Sequence, residues 1–272
     1  MSIKIIFITL LLILSLQANE RIISLSPSIT EMVFALDKGK QLVGVSSYSL
    51  HPKEAKKLPI IGGYESPYLE KIIALSPTLV IGQKFNSQTL EKLQKFNIKT
   101  LMLNLKTIQD IKNSITTLSQ EINSTQHPKL INNIDNAIKK IQKSNKPHSI
   151  MIVFGLKEDL RSSIYIAGHN IFFEDIIKLT GNTNAYTSQS TNQPVLNYEN
   201  IIALNPDQII ILHSKATEAN VDVEKALKNW HKLPTNASRD KKISIVDEDY
   251  LHIPSHRIAL TIERLSREMQ DD

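Results

Sequence analysis

One segment of this chain occurs twice, and that echo restricts the architecture more than any other feature. Tyr68-Leu69-Glu70-Lys71-Ile72-Ile73-Ala74-Leu75-Ser76-Pro77 runs into Thr78-Leu79-Val80-Ile81. Far downstream, Asn197-Tyr198-Glu199-Asn200-Ile201-Ile202-Ala203-Leu204-Asn205-Pro206 runs into Asp207-Gln208-Ile209-Ile210-Ile211. Each copy reads as a short helix, a proline that stops it, and a buried strand. Glu70 and Glu199 occupy the same place in each. Two copies so far apart are too few for a solenoid, whose units must stack on their neighbours. They predict two lobes of similar construction.

The segments around the echo alternate in the same way. Residues 21–25 and 149–154 each read as an apolar strand that opens a lobe. In the first lobe, Ser28 and Glu31 have the spacing of a capping box ahead of the apolar run 32–36. Strands are predicted at 42–45, 79–82 and 100–103, with a helix over 87–96. In the second lobe, strands at 164–168, 208–212 and 243–246 alternate with helices at 172–179, 221–233 and 257–269. Gly181-Asn182 terminates the first of these helices. Such alternation predicts an α/β fold whose two lobes have parallel-sheet cores and flanking helices. Between them, Ile108, Ile111, Ile115, Leu118 and Ile122 mark one amphipathic helix. Leu130, Ile134, Ala137, Ile138 and Ile141 mark a second, which Pro128 starts. A helical connector is stiff. The expected division is therefore an N-terminal lobe over 19–105, a helical linker region over 106–146 and a C-terminal lobe over 147–272.

Residues 1–18 read as a cleaved signal peptide: Lys4, then an apolar run from Ile5 to Leu14, then a small residue at Ala18. That run is short for a membrane span. The chain has no cysteine, so disulfides, thiolate metal sites and a lipid-modified cysteine are all excluded. A free periplasmic protein is the expectation. The formal charge of +5, or +4 without Lys4, is spread out, with no basic stripe interleaved with aromatics, so nucleic acid is not an expected partner. No nucleophile elbow, phosphate loop, zinc helix or dinucleotide fingerprint is present, and an enzyme is not expected. A binder of a bare ion would need three or four converging ligands; only His252 and His256 lie close together in the sequence.

The opening Arg21-Ile22-Ile23-Ser24-Leu25-Ser26-Pro27-Ser28-Ile29-Thr30-Glu31 resembles that of the helical-backbone class of periplasmic binding proteins. Val43 to Ser49 with Pro52, Gly62-Gly63-Tyr64, the Glu70 echo and the stretch from Tyr250 to Arg257 resemble its cobalamin-binding members in particular. Haem and siderophore binders are relatives in the same class. The resemblance covers the mature chain. It implies a monomer of two lobes on a rigid linker helix, with the ligand taken between them. It also implies delivery of a small-molecule metal chelate (corrinoid, haem or siderophore) to the permease dimer of an inner-membrane ABC transporter, with no cofactor of its own. By the same resemblance Glu70 and Glu199 dock on the permease. Tyr48, Tyr64, Tyr165, Asp249 and Tyr250 fall on or near ligand-contact positions. Gln83 and Gln193 stand where the cobalamin-binding members carry tryptophans. Trp230, the single tryptophan, is expected to pack in a core. His252 and Arg257 are further candidates for the ligand site. His252 and His256 are candidates for a metal, as is His169 near the ligand edge, with His213 a similar case.

Overall fold

In a computed structural model, residues 20–188, 193–214, 218 and 220–270 are described, and the expected signal peptide lies outside them. The chain divides into two units. The first runs to Leu103 and takes in Gln120–Ser124; the second comprises Asn104–Ser119 and the chain from Thr125 onward.

The first unit is built on four strands: β1 (Ile22–Ser24), β2 (Leu42–Val45), β3 (Leu79–Gln83) and β4 (Lys99–Leu103). They lie in the order β2-β1-β3-β4, and every pairing is parallel. A parallel sheet is covered on both faces, which is why its strands read as unbroken apolar runs rather than alternating ones. Ile22, Ile23, Val80 and Ile81 are accordingly fully buried. Helix α1 (Pro27–Ala35) follows β1, α2 (Leu69–Ala74) precedes β3, and α3 (Ser87–Gln94) joins β3 to β4. The predicted capping box on Ser28 does not form. The cap is Ser26, whose hydroxyl accepts the Ile29 N–H at 3.3 Å. Pro27 takes the first helical position, where a missing N–H costs nothing, and Ser28 and Glu31 are buried one turn inside.

Two helices occupy the middle of the chain, α4 (Ile108–Glu121) and α5 (His127–Lys139). Lys112 of α4 pairs with Asp135 of α5 at 2.6 Å. The second unit holds β5 (Ser149–Phe154), β6 (Ile164–Ile166), β7 (Thr183–Asn184), β8 (Val195–Leu196), β9 (Gln208–Leu212) and β10 (Ile243–Val246). Their order is β10-β9-β5-β6-β8, with β7 paired to the start of β5. Helices α6 (Phe172–Leu179), α7 (Tyr198–Leu204), α8 (Val223–Trp230), α9 (Asn236–Arg239) and α10 (Ile258–Glu268) complete it. The sheet is not wholly parallel, as the alternation had predicted. Strand β6 runs antiparallel to β5, and β8 antiparallel to β6. The reason is length: the short link between β5 and β6 contains no helix, and a parallel return needs a longer crossover.

The repeated segment becomes the same structure twice. Helix α2 leads into β3, which lies beside β1; α7 leads into β9, which lies beside β5. Each helix is followed by a left-handed residue and then a proline: Ser76 at φ 45° and Asn205 at φ 46°.

Glu174 in α6 supplies a pH-dependent component of stability. It is buried, and its carboxylate meets His169 Nδ1 at 2.5 Å, the Asn170 N–H at 2.8 Å and Lys178 Nζ at 3.0 Å. Burial pushes its pKa up, but these partners outweigh burial and bring it down to about 2. A lowered folded-state pKa means stability that is complete above the unfolded value near 4.5 and fades as pH falls towards about 2. The drop corresponds to about 3 kcal/mol. Urea titrations at pH 5 and pH 3 should therefore show the parent losing much more stability than Glu174→Gln. Equal losses in both would remove Glu174 from the acid response.

Candidate functional site

In an open parallel sheet, loops that leave neighbouring strands towards opposite faces open a crevice at the strands' carboxyl ends. The strand order puts that point between β1 and β3 in the first unit, and between β5 and β9 in the second.

At the edge of the first unit, four small hydroxyls lock the exits of β1 and β2 together. Thr30 Oγ1 lies 2.9 Å from Ser24 Oγ and 3.1 Å from Ser49 Oγ, and Ser46 Oγ lies 3.3 Å from Ser49 Oγ. All four residues are buried, as is Ser26. Their mutual bonds meet the cost of burying hydroxyls and hold the loop that carries Tyr48. That tyrosine is 63% exposed and sits at φ 63°, a backbone region in which a non-glycine residue needs support from its surroundings. The next residue back, Ser47, donates its N–H to Gly62 O at 2.8 Å, which ties this loop to a second turn. Gly62 has φ 123°, and a Cβ there would come within 2.9 Å of Ser66 O and Tyr68 N. The turn it permits presents Tyr64, whose hydroxyl donates to Glu65 Oε1 at 2.9 Å. Partial burial and then Glu65 raise the pKa of this phenol. Asn86 is buried and binds both sides. Its Nδ2 donates to Tyr64 O at 2.6 Å, and its Oδ1 accepts the Gln83 N–H at 2.9 Å. Tyr48 and Tyr64, on two loops, and Gln83, at the end of β3, are thus connected on one face.

The second unit presents the corresponding face. His213 follows β9 directly and is buried; its Nδ1 lies 2.8 Å from Glu218 Oε2. That oxygen also accepts the Leu156 N–H at 3.0 Å, which fixes the exit of β5. His252, in the loop after β10, is exposed, with its ring 6.3 Å from that of Phe154. Enough protein still surrounds the imidazole for lost hydration to lower its pKa, against a smaller upward pull from Glu218. Arg257 is buried; it donates to Asp249 Oδ1 at 3.1 Å and lies 5.8 Å from the centre of the Tyr250 ring. Tyr165 on β6 pairs with Phe154 and is 45% exposed. The Gln193 amide is committed to the backbone, donating to Ile166 O at 2.6 Å. His256 is half-buried in the loop before α10. Among the described residues no three His, Asp or Glu side chains converge to hold a metal ion. Because β6 runs antiparallel, the chain beyond it heads to the amino end of β5, where Asn184 binds the Ala167 and Gly168 carbonyls. His169 pairs with Glu174 in the first turn of α6.

Two contributors had no signal in the sequence. Glu218 orients His213 only through the fold of its loop, and the exposed ring of Phe85 gains its place from the short 3-10 turn Lys84–Asn86. Glu70 and Glu199 are exposed second residues of α2 and α7. Each helix starts at the carboxyl-edge rim of its unit, α2 just after the Tyr64 turn and α7 just after β8.

A family model described as periplasmic binding protein matches residues 22–250. The chain belongs to that family. Curated relatives carry the name vitamin B12-binding protein. The one from Yersinia pestis (strain Pestoides F) is 28% identical over 268 residues, covering 95% of this chain and 89% of its own. The one from Pectobacterium atrosepticum is 28% identical over 206 residues, covering 71% of each chain. Among solved structures, a periplasmic heme binding protein of Vibrio cholerae superposes with a TM-score of 0.77 at 23% identity, covering 93% of this chain and 99% of its own. A periplasmic vitamin B12 binding protein of Vibrio cholerae gives 0.73 at 22%, covering 92% and 96%. These relatives of the periplasmic binding protein are named for what they bind. No helix among its described residues is long and apolar enough to cross a membrane.

Proposed function

We propose that this periplasmic binding protein captures a metal-bearing tetrapyrrole, a corrinoid before others, in the periplasm and hands it to an ABC permease. The observation that carries the reading is the pair Tyr48 and Tyr64, two exposed aromatics held by buried polar networks at the carboxyl edge of the first sheet. An exposed ring leaves apolar surface in water, which a flat, largely apolar partner with a polar margin would cover. Curated relatives named for vitamin B12 over nearly the whole chain favour the corrinoid. In the second unit, Tyr165, Tyr250, His252 and the Asp249–Arg257 pair supply the polar and aromatic contacts. A second reading, haem, is favoured by His213. With Nδ1 facing the Glu218 carboxylate, a neutral ring donates from Nδ1 and keeps its lone pair on Nε2, the arrangement of a carboxylate-supported metal ligand. Glu70 and Glu199, one at each rim, are the contacts to the permease. The protein works as a monomer after removal of residues 1–18.

Titration with cobalamin, cobinamide, haemin and ferric siderophores, followed by tyrosine and Trp230 emission, tests this. A corrinoid is expected to saturate the protein, with Tyr48→Ala and Tyr64→Ala each weakening it several-fold, about 1 kcal/mol. Saturation by haemin alone, with a visible spectrum that changes in His213→Ala, would establish the second reading. Failure of every tetrapyrrole would refute both.

A further inference from the structure

We propose that Phe85 is a ligand-contact residue which, with Tyr64, forms a single aromatic platform on the first unit, and that Asn86 is the positioning residue of the pair. The proposal rests on the tetrapyrrole reading above and specifies which part of this face meets the macrocycle.

Phe85 stands two residues beyond β3, at the crevice between the exits of β1 and β3. A phenylalanine at 47% exposure there is unusual, because the residues on either side of it in the fold are well buried: Gly82 and Asn86 below, and Leu90 and Leu93 in the helix that follows. The ring is not loose. It meets Tyr64 with centroids 5.3 Å apart and planes at 88°, the edge-to-face geometry that aromatic pairs favour. The two rings come from different loops, so something must hold the loops in register. Asn86 does this, binding Tyr64 O with its amide nitrogen and the Gln83 N–H with its amide oxygen. Gly82 makes room for it: a Cβ at that position would lie 3.0 Å from Asn86 Oδ1 and 3.1 Å from its Cβ. A buried amide satisfied on both sides has one arrangement, whereas a half-satisfied one would be costly. The result is a pair of crossed rings that offers a flat partner the face of one and the edge of the other, with Gln83 offering only a polar side chain beside it. Such a surface matches the face of a planar macrocycle. A small polar solute or a bare ion would leave it in water.

Cobinamide and haemin titrations of the parent, Phe85→Ala, Phe85→Leu and Phe85→Trp test the assignment, each with a thermal melt. Phe85→Ala should weaken whichever macrocycle the parent binds about ten-fold, equivalent to about 1.4 kcal/mol. Its melting temperature should be unchanged, since the ring is half in water. Phe85→Trp should stay within about two-fold of the parent, and Phe85→Leu should behave like alanine, because the contact is with a π face. For Asn86, Asn86→Asp keeps the acceptor for the Gln83 N–H and deletes the donor to Tyr64 O. It should weaken binding, and combining it with Phe85→Ala should cost less than the product of the two single effects, because both act on one platform. Multiplicative losses would overturn the positioning role. Parent-like affinity in Phe85→Ala would overturn the contact itself while leaving the tetrapyrrole reading intact. A parent that binds neither probe, nor cobalamin, would overturn that reading, and this inference with it.

Discussion

The double variant Glu70→Ala/Glu199→Ala is expected to bind its ligand as tightly as the parent and to deliver none of it across the membrane. Both carboxylates are exposed, both sit in the first turn of the helix that opens one copy of the repeat, and both lie at the rim of a carboxyl-edge face. A helix start favours an acidic residue, but only by about 0.3–1 kcal/mol, so the double variant should melt a little earlier and stay folded. Helix electrostatics alone does not demand the same register in both units. A docked partner with matching cations does, and removing one member of a buried charge pair at an interface costs about 2–5 kcal/mol. Two such losses lower docking by well over a hundred-fold. Uptake of labelled ligand into vesicles carrying the permease, measured beside solution affinity, separates the two functions. Parent-level uptake by the double variant would leave these residues as first-turn charges on their helices and nothing more.

Trp230→Ala should be among the most destabilising single changes in the second unit. The indole is fully buried at the end of α8, in a core that includes Ile209, Ile211, Ala226 and Ala237. Deleting a buried tryptophan costs about 3–5 kcal/mol through lost transfer energy and the cavity left behind. The Nε1 hydrogen is buried without a partner, and an unsatisfied donor carries a penalty of about 1–3 kcal/mol. Trp230→Phe gives up part of the volume but relieves that penalty, so it should cost far less than alanine. Urea unfolding followed by far-ultraviolet circular dichroism measures both. A loss below about 1 kcal/mol for the alanine variant would be incompatible with a core role at this position.

Much of this architecture is legible in the residues because it follows from local chemistry. Apolar runs such as 79–82 and 208–212 had to be doubly covered strands, and the prolines at 77 and 206 had to end the helices before them. The repeat then implied that the two strands play the same part, which β3 and β9 do. Ser28 shows the limit of the same method: its spacing to Glu31 suited a cap, but Pro27 fits the helix only at its first position and moved the cap to Ser26. Strand direction was also out of reach at β6, since an apolar triplet is the same read in either sense.

Periodicity, punctuation and the single echo were enough, without coordinates, to predict the two α/β repeats, the two helices in the middle of the chain and the matched pair of glutamates. Those features depend on neighbours within a turn or two. The arrangement of Phe85 against Tyr64, the hold of Asn86 on both, and the pairing of Glu218 with His213 are contacts between loops remote in sequence or of no fixed period. They exist only once the sheets have brought the loops to one edge, so the folded chain alone could place them.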